Sequence, residues 1–300
     1  MQLTQLAYFV AVSETRHFTR AARQLHVAQP SLSQRIRALE RELGAPLFTR
    51  TRGNIALTEA GEVLLPLARR MLADADRAQV EVGELLSLRR GRLRLGATPS
   101  LLTGLLPDLV ARFARDHPGV RLTVSEAGSR ALVDELAAGG VDLAMVILPL
   151  AHPDPTLVTA PLLAEELVLA SAAGTAPPYG DGPVALADLA GVPLVVPHAG
   201  YDLRALTVQA CRAAGFEPVF ALEGGELDAV LALVGAGMGA AVLPAAAVRR
   251  AGLRATPIAP PGLRRTIGLA YRADAELPRA AREFRTALLN SLGAHGDVGG

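Results

Sequence analysis

The apolar residues of this chain change their period at Gly91. Before it, a short hairpin apart, they recur three and four residues apart. After it, short apolar runs alternate with amphipathic stretches. A helical pattern and a strand–turn–helix pattern bury their apolar faces in different layer architectures. The chain is therefore expected to fold in two parts, and 300 residues is enough for both.

The front part opens with Leu3, Leu6, Phe9 and Val10 at helical spacing, which predicts a helix from about Thr4 to Glu14. Thr19 is placed to cap a second, short helix through Ala21, Ala22 and Leu25, whose small alanines allow a close helix crossing. His26, Val27 and Ala28 form a turn. A third helix opens at Gln29 with Pro30 in its first turn and stops at Gly44. Along it Leu32, Ile36, Leu39 and Leu43 share one face, while Gln34, Arg37 and Arg41 lie opposite with Ser31 and Ser33 flanking. Helix, short turn and helix with an outward Ser/Gln/Arg face is helix-turn-helix geometry, since Gln and Arg can pair with base edges and Ser and Arg with phosphate. An ordinary amphipathic helix with a solvated polar face has the same periodicity. The next residues favour the first alternative. Pro46–Leu57 reads as a hairpin with Gly53-Asn54 at its tip, and Arg50 and Arg52 beside that tip suit a wing laid over a phosphate backbone.

The run AARQLHVAQPSLSQRIRALERELGAPLF, followed by RTRGNIALTEAG, resembles the winged helix-turn-helix of the LysR-type transcriptional regulators. The match runs from Leu3 to Gly61, and the downstream chain fits the same family. The resemblance implies that Gln29, Pro30, Ser31 and Ser33 lie at the DNA-facing start of the recognition helix, with Gln34 and Arg37 beyond and Thr19, Arg50 and Arg52 contributing from the flanks. Two departures stand out. Gly53 occupies a wing position that is often basic in the family, and Gln34-Arg35 are transposed relative to its usual order.

Thr58 is placed to cap a further helix with no convincing stop before Arg89. About thirty residues at 1.5 Å each make a rod of about 45 Å. Leu64, Leu67, Met71, Ala75, Ala78, Val82 and Leu85 form a seam along it. A seam of this kind packs either on its own domain or on a partner helix. Dimerisation is the preferred reading, because paired recognition helices double the contact with a two-fold symmetric site. The resemblance also implies dimers, tetramers and contact with RNA polymerase.

The rear part reads as strands at 92–97, 120–125 and 141–147 with helices at 101–115 and 131–138 between them. The order recurs as strands at 193–197, 219–222 and 240–243 with helices at 203–214 and 227–234. Such βαβαβ blocks make parallel sheets, and two of them leave a crevice where strand ends meet helix N-termini, suited to a small polar or anionic molecule. Polar residues just past strand ends are its candidate lining: Thr98, Ser100 and Ser129 from one block, His198, Tyr201 and Arg204 from the other. For each of them simple helix capping is an equal alternative. The resemblance implies a two-lobed, type 2 periplasmic-binding-protein-like effector domain, and Ile147-Leu148 at a position charged in some relatives points to an apolar or mixed ligand portion. The expected division is 1–58 for the DNA-binding domain, 59–90 for the linker helix and 91–300 for the effector domain, with lobe I at 91–160 and 266–295 and lobe II at 161–265.

Several function classes fall away. Gly235-Ala236-Gly237-Met238-Gly239 follows a helix and precedes a strand, the reverse of a dinucleotide fingerprint. No nucleophile elbow, phosphate loop or carboxylate cluster marks an enzyme, and six scattered His with one Cys make neither a metal site nor an intramolecular disulfide. No cofactor is expected. Leu6–Val12 is too short and lacks a preceding basic residue for a signal peptide, and the uncharged stretch 229–248 is broken by glycines and Pro244, so a cytoplasmic chain without a membrane span is expected. A free solute-binding protein or a doubly wound enzyme remains the rival class. Against it stands the charge partition. Through Arg94 there are fifteen Arg against nine acids, and beyond it fifteen against twenty, so the net charge of +1 hides a basic reader and an acidic sensor.

Overall fold

The structure, a computed structural model, describes residues 1–51, 54–86, 91–174 and 182–296. Two compact units divide the chain: Met1–Gly91 with Glu135–Gly140, and Arg92–Asp134 with Val141–Gly300.

The first unit opens with helices α1 (Leu3–Thr15), α2 (Phe18–Gln24) and α3 (Gln29–Leu43), then a hairpin of β1 (Phe48–Thr51) and β2 (Asn54–Leu57), then the long helix α4 (Glu59–Leu86). Helix α2 is capped by His17, whose Nδ1 accepts from the Thr19 N–H at 3.2 Å; Thr19 thus sits in the first turn and is not the cap. The turn into α3 is closed by the Val27 N–H donating to Ala22 O, with His26 in the left-handed region at φ 54°. Gly44 ends α3 at φ 71°, a conformation that costs glycine nothing. Leu32, Ile36 and Leu39 are fully buried with Leu6, Phe9, Phe18, Ala21 and Ala22. Phe48 closes this core from the hairpin, its ring 5.4 Å from Phe9 and 5.9 Å from Phe18. Asn54 pairs with Thr51 inside the hairpin ladder, so it belongs to a strand and not to the tip.

Thr58 caps α4 as expected: its hydroxyl accepts from the Gly61 N–H at 3.1 Å and donates to Pro46 O at 2.6 Å. A Cβ at Gly61 would lie 2.3 Å from Leu47 O, so α4 can approach the hairpin this closely only through glycine. Pro66 sits inside α4 without ending it. The expected seam divides between two jobs. Leu64 joins the buried core with Ala68, whereas Leu67, Met71 and Val82 are exposed together with Val63.

From Gly91 on, the chain contains, in order, β3 (Gly91–Ala97), α5 (Pro99–Leu102), α6 (Leu106–Asp116), β4 (Val120–Glu126), α7 (Ser129–Ala137), β5 (Leu143–Leu148) and β6 (Leu157–Ser171). There follow β7 (Pro193–Val196), α8 (Asp202–Ala213), β8 (Val219–Glu223), α9 (Leu227–Gly235), β9 (Ala241–Pro244), α10 (Ala245–Arg250), β10 (Arg254–Pro257), β11 (Leu263–Arg272) and α11 (Arg279–Gly296). Among the described residues the larger sheet has the order β10-β6-β11-β5-β3-β4 with β9 also on β6, and β7 pairs with β8.

Two features differ from the expectation. The helix expected at 101–115 is two helices, because the Thr103 hydroxyl turns back to Pro99 O and Pro107 starts a fresh helix in its first turn. The sheets are not wholly parallel. β3–β5 and β7–β8 are parallel, but β6 and β11 run antiparallel to each other along their length, from Leu263↔Leu167 to Arg272↔Leu157. These two strands carry the chain between two cores. Leu163 and Ile267 pack with Leu93, Leu95, Phe113 and Phe284; Leu167 and Leu263 pack with Leu194, Val230 and Leu243. Each fully buried Leu, Ile or Phe contributes roughly 1.5–3 kcal/mol, so the two cores hold two lobes and the strands between them form the hinge.

Candidate DNA interface and effector crevice

On the first unit, burial splits α3 into two faces. Ile36 and its apolar neighbours are inside, while Gln29, Pro30, Ser31, Gln34 and Arg37 are exposed, as is Thr19 on α2. Ser33 departs from the DNA-facing expectation. It is 5% exposed, and its Oγ accepts from Gln29 Nε2 at 2.9 Å, so it orients Gln29 from the buried side. Arg35, the transposed residue, reaches Gln2 Oε1 at 3.3 Å and is thereby turned toward the start of α1. The Arg50 side chain, Arg52 and Gly53 lie outside the described residues.

The expected crevice residues of the second unit are drawn into three polar groups. At the hinge, Arg265 is 4% exposed, donates from Nε to Glu165 Oε2 at 2.6 Å and from its terminal nitrogen to Ser100 Oγ at 2.7 Å. Arg265 and Glu165 face each other across β11 and β6, so this buried pair ties the hinge strands to α5. At the head of α7, the Ser129 N–H and Oγ–H donate to Asp202 Oδ2 at 3.1 and 2.8 Å, and Ser129 Oγ accepts from the Ile147 N–H at 2.9 Å. Asp202 stands at the start of α8 in the other lobe, so one carboxylate bridges the two lobes. The backbones also meet there, since a Cβ on Gly128 would lie 2.2 Å from Gly200 O. On the far side of Asp202, the Tyr201 hydroxyl donates to Glu226, the His198 ring stands edge-on to Tyr201 at 4.5 Å, and His198 Nε2 lies 3.7 Å from Glu226 Oε1. Burial first, and then the Glu226 carboxylate, push the Tyr201 phenol far above its usual range. Glu126, at the end of β4, also titrates above the usual carboxyl value, through partial desolvation and then the charges of Glu226 and Asp228.

Two expected residues behave differently from these. Arg204 turns away to pair with Glu223 and lie over the Phe220 ring at 5.4 Å. Thr98 is 3% exposed and its Oγ1 has no hydrogen-bond partner. Sequence reading missed Asp202, Glu226, Glu165 and Arg265. An acid in the first turn of a helix, as Asp202 is, was the available signal for the first of them. A cavity of about 390 Å³ opens beside the Ser129–Asp202 bridge, bounded by Ile147, Leu150 and Pro153 on its apolar side.

A family model described as the bacterial regulatory helix-turn-helix protein, lysR family, matches residues 3–62, and one described as the LysR substrate binding domain matches residues 87–293. The chain belongs to the LysR family of transcriptional regulators. The regulator is 33% identical, over 99% of its own length and 98% of the relative's, to the DNA-binding transcriptional dual regulator OxyR of Escherichia coli (strain K12). It is 33% identical to the transcriptional dual regulator GltC of Bacillus subtilis (strain 168), over 95% of each chain. Among solved structures it is similar to CbnR, a LysR family transcriptional regulator, with a TM-score of 0.73 and 26% identity over 97% of this chain and 99% of that one. It matches full-length CbnR in complex with its target DNA at a TM-score of 0.71 and 26% identity, over 97% of this chain and all of that one (100%). The regulator is thus a DNA-binding transcription factor with an effector-binding domain, and nothing supports the rival solute-binding or enzymatic reading. No helix among the described residues is long and apolar enough to cross a membrane.

Some relatives carry the name hydrogen peroxide-inducible genes activator. In this regulator Cys211 is the single cysteine, it is buried, and burial raises its thiol pKa. A protonated, enclosed thiol is a poor nucleophile, and one cysteine cannot close a disulfide within the chain.

Proposed function

We propose that the regulator binds promoter DNA as a dimer in the cytoplasm, and that occupancy of its effector crevice resets that binding. The observation that carries the reading is α3, buried along Leu32, Ile36 and Leu39 and open along Ser31, Gln34 and Arg37. Gln29, Ser31, Gln34 and Arg37 make the contacts to bases and nearby phosphates, with Pro30 starting the helix and Ser33 holding Gln29 in place. Thr19 contacts the backbone from α2, and Arg50 and Arg52 from the wing. The exposed apolar strip Val63, Leu67 and Met71 of α4 packs against a second copy, because a recognition helix on each copy reads a two-fold symmetric site. Tetramers and contact with RNA polymerase follow from the same family architecture. The crevice, with Thr98, Ser100, Ser129, His198, Tyr201 and Arg204 in or around it, takes a small molecule and performs no reaction on it. Binding there shifts the population of lobe arrangements, and this is felt at the DNA.

A gel-shift titration on the promoter region beside the regulator's own gene tests the first half. Sequence-preferring binding at moderate salt is expected, and its absence refutes it. A metabolite panel scored by thermal unfolding of the full chain tests the second half, since a ligand at 100 times its Kd adds about 2.7 kcal/mol.

A further inference from the structure

Four side chains in the first two turns of α3 can present an amide or a guanidinium to a groove of DNA: Gln29, Gln34, Arg35 and Arg37. All four are exposed, so exposure does not say which of them reads a base. Their phase on the helix and their internal partners do.

The buried residues Leu32, Ile36 and Leu39 fix the inward direction of α3. At 100° per residue Gln34 lies about 170° from that direction, at the centre of the outward face. Ser31 and Arg37 stand three residues before and after it, about 60° to either side. Arg35 lies on the flank, about 65° from the inward direction. The structure uses it there: its terminal nitrogen donates to Gln2 Oε1 at 3.3 Å, at the start of α1. Gln2 is held in turn, since its N–H donates to Oε1 of the buried Gln5 at 2.7 Å. Gln29 is also committed, its Nε2 donating to the buried Ser33 Oγ at 2.9 Å. Gln34 differs from both, because among the described residues no hydrogen bond takes up its carboxamide.

A free carboxamide offers one acceptor and a donor side by side. In the major groove adenine alone among the bases offers the complement, the N6 amino group as donor and N7 as acceptor. Guanine presents two acceptors, so the amide oxygen would face another oxygen. Thymine presents an acceptor and a methyl group, and cytosine a lone donor, so each leaves one end of the amide desolvated and unpaired. A guanidinium in the same place would choose guanine instead, which makes the choice between the neighbours Gln34 and Arg35 decisive for the sequence that is read.

We propose that Gln34 sets the base preference of the regulator and that its carboxamide selects adenine in each half-site, while Arg35 braces α3 against α1 and reads no base. This rests on α3 being the DNA-reading helix and names what the centre of its face recognises.

The test is selection of binding sites from a pool of random duplexes by the full-length protein, for wild type and for the variants Gln34→Ala, Gln34→Arg and Arg35→Ala. All three substitutions are at exposed positions and leave the core of the first unit intact. One position of each half-site is expected to be adenine for wild type, unselected for Gln34→Ala and guanine for Gln34→Arg, with adenine kept by Arg35→Ala. In competition gel shifts, replacing that A·T pair should weaken wild type by about 5- to 150-fold and leave Gln34→Ala indifferent. Adenine retained by both Gln34 variants, or lost in Arg35→Ala, overturns the assignment. A position that Gln34→Ala relaxes but that wild type holds as another base overturns the choice of adenine. Gln34 variants that select the wild-type sequence throughout would leave the regulator a DNA reader with its base contacts elsewhere, whereas a wild type that enriches no sequence removes the reading of α3 itself.

Discussion

The recognition helix and the crevice treat polar side chains in opposite ways. On α3 the outward residues Ser31, Gln34 and Arg37 are exposed, and in the proposed function the partner that satisfies them is DNA. In the crevice Ser100, Ser129 and Tyr201 are buried and spend their hydrogen bonds on other protein groups: Arg265, Asp202 and Glu226. A reader of a polyanion needs donors held ready on a rigid support, and salt-dependent phosphate contacts supply the affinity. In the crevice the buried groups, Thr98 apart, are satisfied within the protein. Both regions are polar, but only the first is organised by a single element.

The largest effect expected from this contrast is on the support of the reader. Ile36→Ala should cost about 2–5 kcal/mol in the first unit, because it opens a cavity in a core of few side chains. Hydrogen exchange should show loss of protection over α1 to α3 with the second unit unchanged; loss in both would mean that the two units do not keep separate cores. Next is the face itself. Gln34→Ala should cost about 1–3 kcal/mol at the specific site and almost nothing on random DNA. Arg50→Ala should weaken binding to all DNA and lower the salt slope by about 0.9; an unchanged slope removes the wing from the interface.

The crevice should respond more mildly. Asp202→Ala leaves the buried Ser129 without its acceptor and severs a lobe-to-lobe bridge, at about 1–2 kcal/mol of thermal stability, with non-specific DNA affinity untouched. A variant as stable as wild type would show that the bridge is incidental. The smallest effect is the pH response of Glu126. Its carboxyl titrates above the usual 4.5 in the folded state, so the folded form binds that proton more tightly than the unfolded chain. The associated stability is present below pH 4.5 and is lost as pH rises through the raised value. Glu126→Gln should remove that loss and lift the Tm above it by less than about 2 °C, because the group is largely solvent-exposed. A Tm difference that is the same on both sides of the titration would separate the effect from this carboxyl.

The reader was legible because its determinants are local. The spacing of Leu32, Ile36 and Leu39 orients α3, Gly44 stops it, and Thr58 starts α4 from the base of the hairpin. On the DNA-facing side of α3 the reversal is Ser33, which a helical wheel places at the edge of the polar face and the packing of Gln29 over it buries. In the rear unit most strands and helices were legible for the same reason, whereas β6 and β11 were not. Their pairing spans about a hundred residues of chain, and each strand serves two cores, so neither shows one clean period.

By itself, then, the sequence determined the helix-turn-helix, the linker helix, the change to α/β units and the family, since each follows from periods and caps within about fifteen residues. Tertiary structure alone decided which groups meet in the crevice. Ser129 and Asp202 lie 73 residues apart, Ser100 and Arg265 lie 165 apart, and Thr98 is left without a partner. No local pattern encodes such meetings, because they depend on how two lobes approach across a hinge.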